Sequence, residues 1–263
     1  MQPVPAEDLE LAASLAREGG ELAARMLADG LETRLKTSIH DVVSDADLAV
    51  ERLITTRLLG DRPGDGLVGE EGARGGEGER TWYVDPVDGT YNFLSGTGVW
   101  CCAIGLADQQ GPLLGVVYHP LADELWVGGR GRATTCNGTP VPTLTGGPLA
   151  EKSVGANLSP RRLSRAGIAD TQPVLDVIAQ AATVRMFGCC SVELAAVSAG
   201  RLGSFVNADL NPWDWVPGAA LVEAAGGTAA VFEAGGRRYQ VAGGRDTVAE
   251  ICDVITASVA QLG

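Results

Sequence analysis

A short apolar strand, Trp82-Tyr83-Val84, runs directly into Asp85-Pro86-Val87-Asp88-Gly89-Thr90, and this junction constrains the fold more than any other stretch of the chain. Whatever packs around the strand must leave two carboxylates a place to converge. Asp85 and Asp88 are three apart across a proline, so both can point toward one centre, and the carbonyl of Val87, which the turn keeps out of a ladder, adds a third hard oxygen. Hard oxygens suit Mg²⁺. Gly89 and Thr90 then offer backbone N–H groups at a turn of the kind that cradles phosphate, with no side chain at Gly89 to block close approach. A type I turn with Asp at i and Pro at i+1 gives the same residues a purely structural reading. An EF-hand calcium loop does not fit, because it alternates ligands at every second position and closes with Glu at position twelve, where this chain has Gly96.

At 263 residues and 45% hydrophobic content the chain can bury a substantial core, as one large domain or two intimately packed halves. No run reaches the roughly 18 apolar residues of a membrane span, and the N-terminus lacks the basic and apolar regions of a signal peptide, so a cytoplasmic location is the expectation. The six cysteines form no CxxC and sit in apolar or small-residue runs, which reads as reduced core thiols. A net charge of −13 with no basic stripe argues against nucleic acid or anionic membranes as partners, and an anionic substrate would need a metal to receive it. With no GxSxG, no P-loop and no HExxH, catalysis must rest on carboxylates.

Helical spacing of leucine and alanine over 7–29, closed by Gly30, predicts a first amphipathic helix, and Ser44-Asp45-Ala46-Asp47 reads as a capping box opening a second helix to about Leu59. Short strands are expected at 66–69, 81–84, 99–107, 113–118 and 124–128, with the Gly-rich 72–79 stretch as a surface loop. Beyond Gly146 the pattern alternates: strand 152–158, helix 172–182, strand 183–187, helix 190–199, strand 202–207, helix 213–225, strand 228–232 and a closing helix 247–259. A boundary near 145 divides an α+β half, 1–145, carrying most candidate ligands, from an α/β half, 146–263, carrying Asp214 and pocket residues.

Further acidic positions each have a structural alternative. Glu70 and Glu71 follow a short strand and read equally as solvated loop carboxylates. Asp214 is the third residue of a helix capped by Asn211 with Pro212 at N1, where a carboxylate favours the dipole, and Asp47 holds the same position in its capping box. Taken together and in order, Val43-Ser44-x-x-Asp47, Gly69-Glu70-Glu71, Asp85 through Phe93, and Trp213-Asp214 through Gly226-Gly227 resemble the signatures of the Mg²⁺-dependent, lithium-sensitive inositol monophosphatase family. Gly129 through Gly138 resembles a hairpin of that family.

The resemblance implies a five-layer αβαβα sandwich of the inositol monophosphatase and fructose-1,6-bisphosphatase type, two or three Mg²⁺ ions, and a homodimer. It implies that Glu70, Asp85 and the Val87 carbonyl hold one ion, that Asp85, Asp88 and Asp214 hold a second, and that Glu70 touches a third. Thr90 and Asp47 would orient the attacking water, with Lys36 near the metal site, while Gly89, Thr90, Asp88 and Asp214 meet the phosphate side of the substrate. Gly188 and Cys189 correspond to a segment that lines substrate hydroxyls, with Glu193 just beyond as a substrate contact or a helix-face charge. Asn207 stands where family members commonly place an acidic residue for inositol hydroxyls. Arg161, Arg162, Arg165 and Arg185 could face a second anion or solvent, and Pro217 is expected to disturb the start of its helix. The implied activity is hydrolysis of a small phosphate monoester, with inositol-1-phosphate first. Fructose-1,6-bisphosphate, histidinol phosphate, 3′-phosphoadenosine nucleotides and a non-catalytic regulatory role are the alternatives.

Overall fold

In the computed structural model the described residues are 3–30, 33–35, 42–158 and 169–262, so the expectations placed on Lys36 and on Arg161, Arg162 and Arg165 lie outside them. Helix α1 (Ala6–Asp29) carries Glu7 and Asp8 in its first turn and stops at Gly30, whose φ of 93° only glycine adopts readily. It buries Ala12, Leu15, Ala16, Gly19 and Ala23, one helical face. A two-stranded ribbon, β1 (Thr33–Leu35) with β2 (Val42–Ser44), leads into α2 (Asp45–Asp61). Its expected capping box is present: Ser44 N donates to Asp47 Oδ2 at 2.9 Å and Asp47 N donates to Ser44 Oγ.

The first sheet has the order β10-β9-β8-β7-β6-β5-β3-β4. Its strands are β3 (Gly66–Gly69), β4 (Arg74–Gly75), β5 (Thr81–Asp88), β6 (Cys101–Asp108), β7 (Gly111–His119), β8 (Glu124–Gly129), β9 (Arg132–Cys136) and β10 (Thr139–Pro140). All neighbours are antiparallel except β3 and β5. A six-residue helix, α3 (Thr90–Ser95), follows β5. The second sheet, β12-β11-β13-β15-β14, joins a parallel part, β11 (Ser153–Ala156), β12 (Thr183–Arg185) and β13 (Ser204–Ala208), to the hairpin β14 (Thr228–Ala234) and β15 (Arg237–Gly243).

Helices α1 and α2 cover one face of the first sheet, while α5 (Cys190–Ser198) and α6 (Pro212–Ala224) lie between the two sheets. The far face of the second sheet carries α4 (Gln172–Gln180) and α7 (Arg245–Leu262). The result is the expected five-layer αβαβα order. Being covered on both sides, α5 buries all nine of its residues and α6 buries Trp215 through Val222. A helix that is apolar all round is the signature of such a central layer.

Four elements differ from the sequence reading. Strand β5 continues to Asp88 instead of stopping at Val84. The Gly-rich loop contains β4, paired with β3. The strand β15, unassigned from sequence, is interior to its sheet, and the short α3 follows the Asp-Gly turn. Pro217 sits inside α6 without interrupting it.

The start of α1, the end of α2 and the start of β5 are joined by one ionic network. Buried Asp8 accepts from Arg62 Nε at 2.6 Å and Arg80 Nη1 at 2.7 Å. Arg80 also donates to both oxygens of Asp65, and Trp82 Nε1 donates to Asp65 Oδ2. Removing one partner leaves the other charges uncompensated. Asp8→Ala is therefore expected to lower unfolding free energy by about 3 kcal/mol in denaturant titration. A loss under about 1 kcal/mol would place the network with exposed ion pairs instead.

Candidate active site

Strand β3 is parallel to β5 with Gly69 opposite Val84, so the next residues on each, Glu70 and Asp85, emerge side by side at neighbouring carboxyl ends. Glu70 N donates to Val84 O at 3.1 Å, fixing that register beyond the ladder. On the other side of β5, the pairing with β6 slips: Asp85 faces Ala103 and Asp88 faces Cys101, three steps on one strand against two on the other. Regular alternation would send residues three apart to opposite faces. The extra residue at Pro86-Val87, where proline has no amide to offer the ladder, is a bulge that returns them to a common side.

Asp214 arrives from the opposite half, as the third residue of α6, where its Oδ2 accepts from Asn211 N at 3.3 Å. Asp85, Asp88 and Asp214 bring carboxylate oxygens within 4.8 Å of one another. Asp88 is also docked on the N-terminus of α5, accepting from Cys190 N at 3.3 Å and Ser191 N at 2.6 Å, a favourable position for an anion. Asp85 is 2% exposed, and its Oδ1 has no hydrogen-bond partner among the described residues. Burial, followed by the charges of Glu70, Asp88 and Asp214, holds Asp85 well above the usual carboxylate range. Burial likewise raises Asp88, against the opposing pull of the α5 amides. Such a donor set, all carboxylate oxygen with one atom unsatisfied, fits a hard divalent cation.

Thr90 Oγ1 lies 3.3 Å from Asp47 Oδ1 and 3.1 Å from the Val87 carbonyl, so one hydroxyl links three of the expected site residues. Asp47 is fully buried, and its Oδ2 accepts from Ser44 Oγ at 2.5 Å. Gly89 precedes Thr90 with φ of 88°, and a Cβ there would press on the Val99 carbonyl and Cys189.

The 187–193 segment closes one side. Asn92 Nδ2 donates to Phe187 O and Val99 O, tying α3 to the loop. Gly188 takes a left-handed φ of 73°, and Cys189 caps α5 and donates its thiol to the Asp88 carbonyl at 3.3 Å. Cys101 and Cys189 also lie within 4.8 Å of the Asp88 carboxylate, but burial pushes the Cys101 thiol up to about 12, which leaves the aspartates as the anionic donors. Glu193 is completely buried, its Oε1 accepting from Phe187 N at 2.5 Å. It faces its own loop and is not a helix-face charge in solvent. Asn207 is 3% exposed in β13 and borders a small cleft with Asn157, Thr171 and Arg237. Arg185 is spent locally, donating to Thr183 Oγ1 and Val184 O.

One residue with a direct hold on the site escaped the sequence reading. Glu51, on α2, accepts from Glu71 N at 2.8 Å and from Ala73 N at 2.9 Å, beneath the loop that carries Glu70. Its signal was its place one turn after Asp47, on the same helix face.

Comparison with known proteins gives the family of the chain. The model of the inositol monophosphatase family matches residues 5–258. Inositol monophosphatase 1 of Solanum lycopersicum is 32% identical over 241 residues, covering 89% of this chain and 87% of its own. An inositol-1-monophosphatase of Rhizobium meliloti is 35% identical over 228 residues, covering 85% and 82%. The crystal structure of the extragenic suppressor protein suhB from Bartonella henselae superposes with a TM-score of 0.84 at 26% identity, covering 95% of this chain and 98% of that one.

Burial pushes Glu193 up to about 8 from an ordinary 4.5. A carboxyl whose folded value is raised holds its proton more tightly in the native state, so its contribution to stability declines as pH rises from about 4.5 to about 8. Glu193→Gln should therefore flatten the fall of melting temperature across that window in metal-free protein. Parallel curves for the two proteins would show that Glu193 does not titrate there.

Proposed function

Since the chain belongs to the inositol monophosphatase family and is a phosphoric monoester hydrolase, we propose that it hydrolyses a small phosphorylated polyol or sugar at the cleft framed by Asp85, Asp88 and Asp214, with inositol-1-phosphate the leading ester. The observation that carries this reading is the convergence of three carboxylates from separate elements, with Asp85 Oδ1 buried and without a hydrogen bond among the described residues. Mg²⁺, bound as two or three ions, would supply charge neutralisation at the phosphate and a lowered pKa for water. Glu70, Asp85 and the Val87 carbonyl would hold one ion, and Asp85, Asp88 and Asp214 another.

The protein's own groups do the rest of the positioning. Thr90 Oγ1, donating toward Asp47 Oδ1, would accept a proton of the attacking water on a lone pair while its own proton passes to the Asp47 carboxylate. The amides of Gly89 and Thr90 hold phosphate oxygens as charge shifts to the leaving group. Cys189 and Glu193 turn inward, so their part in the pocket is to shape the Gly188 turn, while Asn207, whose Oδ1 accepts from Ala208 N, borders a small cleft lined by none of the site carboxylates. Without the charged acceptor that the family commonly has at this position, the competing esters are tested together with inositol-1-phosphate. A homodimer belongs to the same reading: Tyr91, Leu121 and Met186 are exposed apolar side chains near the site's loops, and sedimentation of purified protein as a monomer would refute it.

Phosphate release from a panel of phosphomonoesters is expected to require Mg²⁺, to stop with EDTA and to fall with Li⁺. Asp85→Asn should reduce release by more than about a hundredfold, beyond what indirect metal-site substitutions cost. It should also raise the melting temperature of metal-free protein, because it removes a buried charge. Full activity in that variant refutes the site, and a folded wild type that releases phosphate from none of the panel points to the regulatory alternative.

A further inference from the structure

Helix α2 carries two buried carboxylates one turn apart, Asp47 at 0% and Glu51 at 5% exposure. Like charges four apart on a helix repel, so two acids on one buried face need a reason beyond helix stability. Asp47 holds Thr90, at the end of the Asp85–Thr90 segment. Glu51 holds the other side of the cleft: its two oxygens take the amides of Glu71 and Ala73, bracketing the turn that follows Glu70. These are charge-assisted bonds, stronger and more directional than neutral ones.

The fit around Glu51 is close. Gly69 packs its backbone against the carboxylate, and a Cβ at that position would run into Glu51 Oε2. The loop is also closed on itself, with Gly69 N donating to Ala73 O at 2.8 Å and Arg74 Nη1 donating to Gly69 O at 2.6 Å. Glu51 ties this closed turn to the helix that also sets Asp47. One rigid helix therefore spaces the two edges of the cleft, the Glu70 turn and the Thr90 turn.

We propose that Glu51 is a positioning residue: through the amides of Glu71 and Ala73 it sets Glu70 beside Asp85, and the cleft's affinity for a divalent cation depends on it although it sits behind the loop. The proposal rests on the reading of the cleft as a Mg²⁺ site. The test is calorimetric titration of metal-free protein with Mg²⁺ alone, well below the melting temperature, for wild type, Glu51→Gln and Gly69→Ala. Glu51→Gln keeps the shape but turns an amide NH₂ toward one of the two N–H donors, and Gly69→Ala disturbs the same contact from the opposite side.

Both variants are expected to bind Mg²⁺ at least about tenfold more weakly, with KM for the preferred ester near wild type once Mg²⁺ is saturating. In a Glu51→Ala background, Gly69→Ala should cost no further affinity, because the side chain it displaces is gone. Wild-type affinity in both folded single variants overturns the role of Glu51 and leaves the metal site standing. A wild type that binds no Mg²⁺ overturns the metal reading, and this proposal with it. If Glu51→Gln does not fold, Gly69→Ala carries the same comparison by itself.

Discussion

The bulge at Pro86-Val87 is the constraint from which the remaining geometry follows. Without the extra residue, Asp85 and Asp88 would point to opposite faces of the first sheet, one toward α2 and the other toward the central helices. With it, both face one cleft, and the Val87 carbonyl leaves the ladder to meet Thr90 Oγ1. The parallel pairing of β3 with β5 then matters, because it delivers Glu70 to the same edge. So does the placement of α5, whose first amides receive the Asp88 carboxylate.

The molecule treats its buried acids in two ways. Asp8 and Asp65 each meet guanidinium groups, and their network is a structural tie between the first two helices and β5. Asp88 instead meets helix amides, and Asp85 keeps an oxygen that meets no donor among the described residues. The first arrangement is complete as it stands. The second costs stability by itself, which is the trade expected where a fold is shaped for binding instead of for its own persistence.

Local signals were enough to place α1, α2 and α6, because each advertises its start or stop with a cap, a proline at N1 or a terminal glycine. The acidic residues of the cleft were legible too, since the Asp-Pro-Val-Asp-Gly-Thr run and the Trp-Asp helix start are compact and ordered motifs. The misses have physical causes. Helix α3 is six residues, too short for a 3.6-residue period to show. Strand β15 begins Arg237-Arg238 and ends at Gly243, and besides its hairpin partner β14 it needs the distant β13 on its other edge. Glu51 looks like any solvated helix glutamate until the Glu71 and Ala73 amides are brought to it across the fold.

The central layer explains why site and core are so hard to separate in this chain. Helices α5 and α6 are largely buried because sheets cover both faces, and the same burial lowers the local dielectric at their N-termini. Asp88 is placed on one of those N-termini and Asp214 begins the other. The amides at the start of α5 thus oppose the upward push that burial gives the Asp88 carboxyl. Glycines make this closeness possible: Gly105 and Gly115 let α6 approach the first sheet at Pro217, where a Cβ would overlap its backbone. Pro217, which from sequence looked like a disturbance to the helix, is instead packed at the contact that brings Asp214 toward the β5 carboxylates.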